Sequence, residues 1–352
     1  KLAGYNEDSR AVSEYLISPY LTEGPNALTL VLYRWSDGSY FESHNQWHLT
    51  GMGRDAYLLA RPKLRISDFF AQTDLIGSQG DLDLEVLCKN SSSADAKGLI
   101  LTAEIRNDSN RTLATSQIPV SLNPGSERPS KLKLSVPGIR AWSDETPALY
   151  QLAVSLKNSS GEVLEAIRQP IGFRSMQMDK SNSLDKTWIE NDADVLKLQS
   201  INAVRNNHYP FPPYWYQFMQ KFGLYILDEA NFNLSSFFRH NRPLPPDTLM
   251  ERVFLQRVKN MFERNKNYAN IFAWSLGFEC GNTRAARAVF QYIKNRDPRR
   301  AACLYTGSGS PGDLILSTSA YLGERDDAPE LGYRMSTDQG NGLGAFDDSW
   351  RK

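Results

Sequence analysis

Between about Pro62 and Phe173, apolar and polar residues alternate with a period of two. Such alternation predicts β-strands with one buried face. Loops such as KNSSSADAKG and LNPGSERPSK separate the runs, and about seven short strands with this spacing predict an immunoglobulin-like β-sandwich. The residues expected to face its core are Leu82, Leu84, Val86, Cys88, Leu132, Leu134, Val136, Tyr150, Leu152, Val154 and Leu156.

After about Arg174 the pattern changes to short apolar runs that alternate with helix-spaced segments. This order is typical of βα units around a parallel sheet. The expected strands are INAVR, LYILDEAN, IFAWSLGFE, AACLY and LILST. One expected helix buries Met250, Val253, Phe254, Val258, Met261 and Phe262. Five or six such units predict a TIM (β/α)8 barrel that is incomplete, since that fold closes with eight.

Residues before about Arg61 contain two further apolar runs, ALTLVLYRW and YLLARP, separated by the turn signal SDG. We expect β-strands there, but too few for a complete sandwich. The chain is therefore predicted to have three regions, 1–61, 62–173 and 174–352.

Composition narrows the function classes. Forty basic residues balance forty acidic ones, so no net field favours nucleic acid or an anionic membrane. No run reaches the roughly 20 apolar residues of a membrane span, and KLAGYNEDSR lacks a signal-peptide pattern, so we expect a soluble chain whose compartment is unknown. Cys88, Cys280 and Cys303 have no zinc-site spacing and are expected to be reduced core thiols.

Candidate chemistry gathers where the barrel strands end, because the active site of this fold lies at the carboxyl ends of its strands. His208, Asp228, Glu229 and Glu279 occupy such positions. Two carboxyl groups that flank a bond are typical of glycosidases. Alternatively, Asp228 and Glu229 satisfy polar groups inside the barrel.

Glycosylation sequons occur at Asn90, Asn107, Asn110, Asn158 and Asn233 and matter only in a secretory compartment.

Four segments carry a resemblance to a known family. They are YRWSDGSYFESHNQWHLTGMGRDAYLLARP, INAVRNNHYPFPPYWYQFMQKFGLYILDEAN, IFAWSLGFECG and GNGLGAFDDSW. They resemble the RWSDGSYLE, NAVR-x-SHYP, GLYV-x-DEAN, IIWSLGNESG and GNSLGGF motifs of the large bacterial-type β-galactosidases of glycoside hydrolase family 2. The resemblance implies a jelly-roll sugar-binding domain, an immunoglobulin-like domain and a TIM barrel.

That family uses a nucleophilic carboxylate and an acid/base carboxylate about 5 Å apart. Glu279 corresponds to the acid/base, but Phe278 stands where the family has a sugar-binding asparagine. Arg334 stands where the nucleophilic glutamate is expected and Thr337 where its histidine is expected. Glu330 or Asp338 could replace the nucleophile only if the loop shifted by four residues.

The family's magnesium ligands correspond to Asn233 and Ser235, so neither a magnesium nor a sodium cofactor is expected. The substrate-binding candidates are Asp55, which aligns with an aspartate that contacts sodium and sugar, together with Arg205, His208 and Tyr321. The family's first barrel strand and its NRHEHHP motif have no counterpart before the helix that begins near Leu184.

An open barrel exposes strand edges. The chain could be the ordered part of a longer protein, be covered by a protein partner or a second copy, or have closed with fewer strands. Our leading hypothesis is a pseudoenzyme that serves as a structural or interaction subunit. The alternatives are an active retaining β-galactosidase and a non-hydrolytic carbohydrate-binding module that uses Asp55, His208, Trp274 and Tyr321.

Overall fold

The computed structural model describes residues 1–42, 44, 51–52, 54–174, 196–197, 201–239, 243–280, 283–305, 314–317, 333–337 and 344–346. The middle of the chain is a two-sheet sandwich of seven strands, as the alternation predicts. The strands are β1 (Leu64–Ile76), β2 (Gln79–Asn90), β3 (Ala96–Arg106), β4 (Thr112–Leu122), β5 (Glu127–Val136), β6 (Tyr150–Lys157) and β7 (Val163–Ile171).

All pairings within the sandwich are antiparallel, with one sheet ordered β1-β2-β5 and the other β4-β3-β6-β7. Leu82 pairs with Leu134 and Leu84 with Leu132, so that their side chains enter the core together. The other sheet contributes Leu101, Leu152 and Val154, each at most 1% exposed. A core formed from both sheets confirms the immunoglobulin-like prediction.

The C-terminal part is a parallel sheet with helices, which confirms the expected partial barrel. Its strands are β8 (Ala203–Arg205), β9 (Tyr225–Glu229), β10 (Ile271–Phe278), β11 (Ala301–Tyr305), β12 (Leu314–Ser317), β13 (Tyr333–Thr337) and β14 (Gly344–Phe346). Neighbours follow chain order, and all pairs are parallel except β13 with β14. The helices are α1 (Pro213–Lys221), α2 (Ser235–Arg239), α3 (Asp247–Asn265) and α4 (Arg284–Arg296).

Helix α3 packs on the sheet through the stripe expected from the sequence. Met250, Phe254, Val258 and Phe262 are at most 1% exposed and belong to the core cluster of the barrel. None of the described helices is long and apolar enough to cross a membrane.

The two strands expected before residue 62 are not present. Within the described residues of this region, the regular elements are two short 3-10 helices, Ser18–Tyr20 and Asp37–Phe41. The ALTLVLYRW run has no regular secondary structure, and its apolar residues are exposed, for example Leu30 at 55% and Tyr33 at 73%. A strand needs a hydrogen-bonded neighbour, and among the described residues no chain pairs with this run. The prediction was wrong because local pattern does not supply that neighbour.

Polar contacts fix the sandwich against the barrel. Lys266, after α3, is 1% exposed at its side chain and pairs with Asp68 of β1. Asn267 accepts a hydrogen bond from the Ala71 N–H and donates one to the Phe69 carbonyl, so its amide satisfies the edge of β1. These bonds join β1 of the sandwich to the segment between α3 and β10.

The five sequon asparagines differ in their exposure to solvent. Asn90 and Asn233 are at most 1% exposed, so neither can accept a glycan in the folded protein. Cys88, Cys280 and Cys303 are buried, as expected for core thiols.

Candidate functional site

The candidate site lies where β8, β9 and β10 end. Parallel register sets Arg205 beside Leu227, and Ser275 beside Glu229. Gly277 then turns the chain, with a φ of 154° and no room for a Cβ, which would lie 2.8 Å from the Phe232 carbonyl oxygen. The strand ends therefore bring Arg205, His208, Glu229, Ser275, Phe278 and Glu279 to one mouth.

Glu229 is the electrostatic centre of this mouth and is fully buried. Its Oε2 accepts hydrogen bonds from Arg205 Nη2 at 2.6 Å and from Ser275 Oγ at 2.6 Å. Its Oε1 lies 3.2 Å from His208 Nδ1. Burial alone would raise the pKa of Glu229, but Arg205, His208 and Ser275 favour the carboxylate and lower its pKa to about 2.

Asp228, on the opposite face of β9, points toward helices α1 and α3. Its oxygens accept from Asn206 at 2.9 Å, from Tyr216 at 2.7 Å and from Asn265 at 2.6 Å. Burial raises the pKa of Asp228, and these donors oppose that rise. Both carboxylates of the DEAN segment thus accept hydrogen bonds from buried side chains, Glu229 at the strand ends and Asp228 on the helix side of the sheet.

Phe278 covers the residues that a sugar would have to reach. It is 8% exposed, and its ring centroid lies 4.6 Å from that of His208 in an edge-on arrangement. The Arg205 guanidinium carbon lies 5.6 Å from the same ring. A phenyl ring offers neither donor nor acceptor, so this contact replaces a polar position of the mouth with an apolar one.

Glu279 follows directly and is partly exposed. Its φ is 49°, which places a residue with a Cβ in the left-handed region. Such a conformation costs about 1–2 kcal/mol for a residue other than glycine. Glu279 is therefore held in a strained backbone at the end of β10.

We expect Glu279→Gly to raise the free energy of unfolding by about 1 kcal/mol, because glycine adopts positive φ without strain. Glu279→Ala, which keeps the Cβ, serves as the matched control and should give no such gain. Urea unfolding followed by circular dichroism would measure both. Equal stabilities of the glycine and alanine variants would contradict the strain argument.

The family's magnesium ion does not fit the residues present. Asn233 Oδ1 accepts a hydrogen bond from the Ser235 backbone N–H at 2.8 Å, at the start of α2, and Asn233 itself is 1% exposed. No group of three or more histidine, cysteine, aspartate or glutamate side chains that could hold a metal occurs among the described residues. Glu279 would be the single carboxylate of such a site, which is too few for Mg²⁺.

Other predicted residues are dispersed. Asp55 is exposed and lies outside regular structure. Trp274 is fully buried and donates to Asp297 Oδ2 at 3.0 Å, so it cannot stack on a sugar as expected. Arg334 and Thr337 lie on β13. Tyr321, Glu330, Asp338 and the region of the missing first barrel strand at 175–195 lie outside the described residues.

Sequence reasoning missed several residues of the mouth. Ser275 donates to Glu229 and lies within the matched IFAWSLGFECG segment, but it was not selected as a site residue. Glu42, His44, Asn231 and Arg257 also meet there. Glu42, His44 and Asn231 lie within matched segments, which were the available signal, whereas Arg257 lies outside all four.

Comparisons with known proteins agree with this architecture. Three profiles of glycosyl hydrolases family 2 match the chain: the sugar binding domain at residues 1–62, the family 2 domain at 64–174 and the TIM barrel domain at 176–324. A β-galactosidase of Psychromonas ingrahamii is 30% identical over 99% of this chain and 39% of its own length. One of Pectobacterium atrosepticum is 33% identical over 93% of this chain and 34% of its own.

Solved structures show the same fold. A family 2 member from Bacteroides cellulosilyticus has a TM-score of 0.63 and 19% identity, covering 72% of this chain and 39% of that one. A β-glucuronidase from Ruminococcus gnavus has a TM-score of 0.60 and 20% identity, covering 72% and 47%.

The fold and these matches define a glycosidase-type architecture of sugar-binding, immunoglobulin-like and TIM-barrel domains. The chain belongs to glycoside hydrolase family 2. It spans about two-fifths or less of the length of the β-galactosidases it matches, 39% and 34% in the two cases above.

Proposed function

We propose that this chain is a non-hydrolytic member of family 2, a pseudoenzyme that acts as a structural or interaction subunit. The observation that carries the proposal is the Phe278 ring, which packs on His208 and faces Arg205. A retaining mechanism needs polar groups at the reacting sugar that strengthen in the transition state. A buried phenyl ring in their place removes several kcal/mol of that stabilisation.

Two further features support the proposal. Arg334 stands at the expected position of the nucleophile, and a guanidinium cannot form a glycosyl ester. Asn233 and Ser235 stand at the positions matched to the family's metal-binding glutamate and histidine, and the Asn233 Oδ1 is bound to the Ser235 N–H. Loss of the nucleophile alone costs orders of magnitude in rate.

An active β-galactosidase is the second candidate, and Glu279 favours it. This carboxylate is retained, partly exposed, at the mouth of the barrel. The relatives from Psychromonas and Pectobacterium carry the name β-galactosidase. In this case a carboxylate such as Glu330 or Asp338 would have to act as the nucleophile.

A chromogenic β-galactoside assay separates the two candidates. We expect the wild-type protein and Glu279→Gln both to give the rate of the buffer blank, with and without magnesium. Turnover that Glu279→Gln abolishes would refute the pseudoenzyme proposal. The oligomeric state of the purified chain, measured by light scattering, then tests the interaction role, since a homo-oligomer or a co-purifying protein is expected.

A further inference from the structure

Part of the N-terminal region lies on the barrel mouth rather than away from it. Residues 7–10, 38–42 and 44, here called the strap, contact the segments that follow β8 and β9. Arg10 of the strap stacks over the Tyr209 ring at 4.5 Å. These segments are the ones that a TIM barrel uses to bind its ligand.

Arg257 of α3 anchors the strap. Its side chain is 2% exposed, and its Nη1 lies 2.6 Å from Glu42 Oε1 and 3.9 Å from Asp8 Oδ1. The same guanidinium donates to the carbonyl oxygens of Glu7 at 3.2 Å and Gly38 at 3.3 Å. A buried arginine that loses such partners becomes an uncompensated charge, so the strap and α3 are held together strongly.

Asn231 extends this network to the barrel. Its Nδ2 donates to Asp8 Oδ1 at 2.6 Å and to Glu42 Oε1 at 3.0 Å. The Asn233 N–H donates to the Phe41 carbonyl at 2.8 Å, and the Phe41 ring stacks on Phe232 at 5.6 Å. The backbone at Asn233, which is matched to one of the family's metal ligands, is thus hydrogen-bonded to the strap.

His44 takes the strap to the candidate site itself. Its ring stacks on His208 with a centroid distance of 5.4 Å and an interplanar angle of 7°. Because the Asn231 Nδ2 donates elsewhere, Asn231 Oδ1 accepts a hydrogen bond from the His44 Nε2–H, with 2.7 Å between Oδ1 and Nε2. Burial, together with the neighbouring His208, lowers the pKa of His44 to about 3, so the stacked ring is neutral at pH 7.

His208 is consequently enclosed. His44 covers one side of its ring, the Phe278 ring meets it edge-on, and the residue is 7% exposed. His44 makes its polar contact with Asn231, not with His208. The pair is therefore a packing contact that a competing ligand can replace.

We propose that the strap is an intramolecular occupant of the barrel mouth, and that His44 holds the face of His208 in competition with a galactoside. The identity of the competing ligand rests on the function proposed above, whereas the occlusion of His208 does not. A sugar that reaches His208 must displace His44, and the strap lowers the apparent affinity of the mouth for sugar.

Diethyl pyrocarbonate acylates accessible neutral imidazole. The rate at which it modifies His208, followed by peptide mass spectrometry, therefore measures how far His208 is covered. We expect His44→Ala to increase the rate at His208 by about tenfold or more, equivalent to uncovering a contact of about 1.4 kcal/mol. Arg257→Met should give a similar increase by releasing the strap. Glu14→Ala, on an exposed residue of the same region, is the matched control and should leave the rate unchanged.

A rate at His208 that is equal in wild type and His44→Ala would overturn the occlusion. His44→Ala keeps the Arg257 anchor, so the test does not depend on whether Arg257→Met folds. Isopropyl β-thiogalactoside, added to both proteins, tests the competition. Protection of His208 in His44→Ala and not in wild type is expected, while equal protection in both, or protection in neither, would refute it. The turnover assay has no bearing on either rate.

Discussion

Replacement of Glu229 by glutamine is expected to lower the free energy of unfolding by about 3–5 kcal/mol at pH 7, because it leaves the buried Arg205 charge without its anion. The side chains of Arg205 and Glu229 are 3% and 0% exposed, so solvent does not screen the loss. Glutamine preserves the volume of glutamate, and packing therefore changes little. Urea unfolding at pH 7 would measure the difference.

The same variant should change how stability depends on pH. The pKa of Glu229 is lowered from its usual 4.5 to about 2, so the folded state favours the ionised form. The resulting stabilisation, about 3 kcal/mol, is fully present above about pH 4.5 and is lost as the pH falls toward 2. The difference in stability between wild type and Glu229→Gln should therefore shrink across this window.

Glu127→Gln provides the control, since that carboxylate is 37% exposed and lies 3.8 Å from Lys89. An exposed pair of this kind contributes at most about 1 kcal/mol. Should Glu229→Gln and Glu127→Gln have the same stability between pH 3 and 7, the central role of the Glu229 carboxylate would be disproved.

The strands of the sandwich and of the barrel were predictable because the neighbouring strands have apolar residues at the positions that pair with theirs. Leu82 and Leu84 fall on one face of the sequence pattern, and the structure pairs them with residues of the same kind, Leu134 and Leu132. The strand LYILDEAN likewise became β9 between two parallel neighbours. Local pattern and tertiary pairing agree in both regions.

The failures have the opposite cause. ALTLVLYRW has the composition of a strand, but its state depends on a neighbour that sequence pattern does not specify. Trp274 neighbours Ser275, which faces the site, so alternation along β10 turns the indole to the opposite face, where it packs on Phe262 and donates to Asp297. The prediction that Trp274 stacks on a sugar overlooked this alternation.

The candidate site shows the same division. Phe278 and Glu279 were found because they lie within one contiguous motif, whereas Glu42 and Arg257 meet across 215 residues. Long-range polar contacts leave no periodic signal in the sequence. The occupancy of the mouth by its own chain was therefore beyond sequence reasoning.

Phe278→Asn should have two separable effects. Removal of a buried ring costs roughly 3 kcal/mol of stability, since a cavity remains against His208 and Arg205. The amide that replaces it can donate to and accept from a sugar hydroxyl, a bond worth about 1 kcal/mol net. We therefore expect the affinity for isopropyl β-thiogalactoside, measured by titration calorimetry, to rise by about five- to tenfold.

Hydrolysis should nevertheless stay at the buffer blank in Phe278→Asn if, as proposed, Arg334 stands where the family's nucleophile is expected. Phe278→Leu is the matched control: it removes the ring without adding a polar group, so stability should fall while affinity does not rise. An equal gain in affinity for leucine and asparagine would mean that the ring acts only as a steric block. Measurable turnover by Phe278→Asn would instead mean that another residue of the chain acts as the nucleophile. The protein would then be a glycosidase whose activity is suppressed by Phe278.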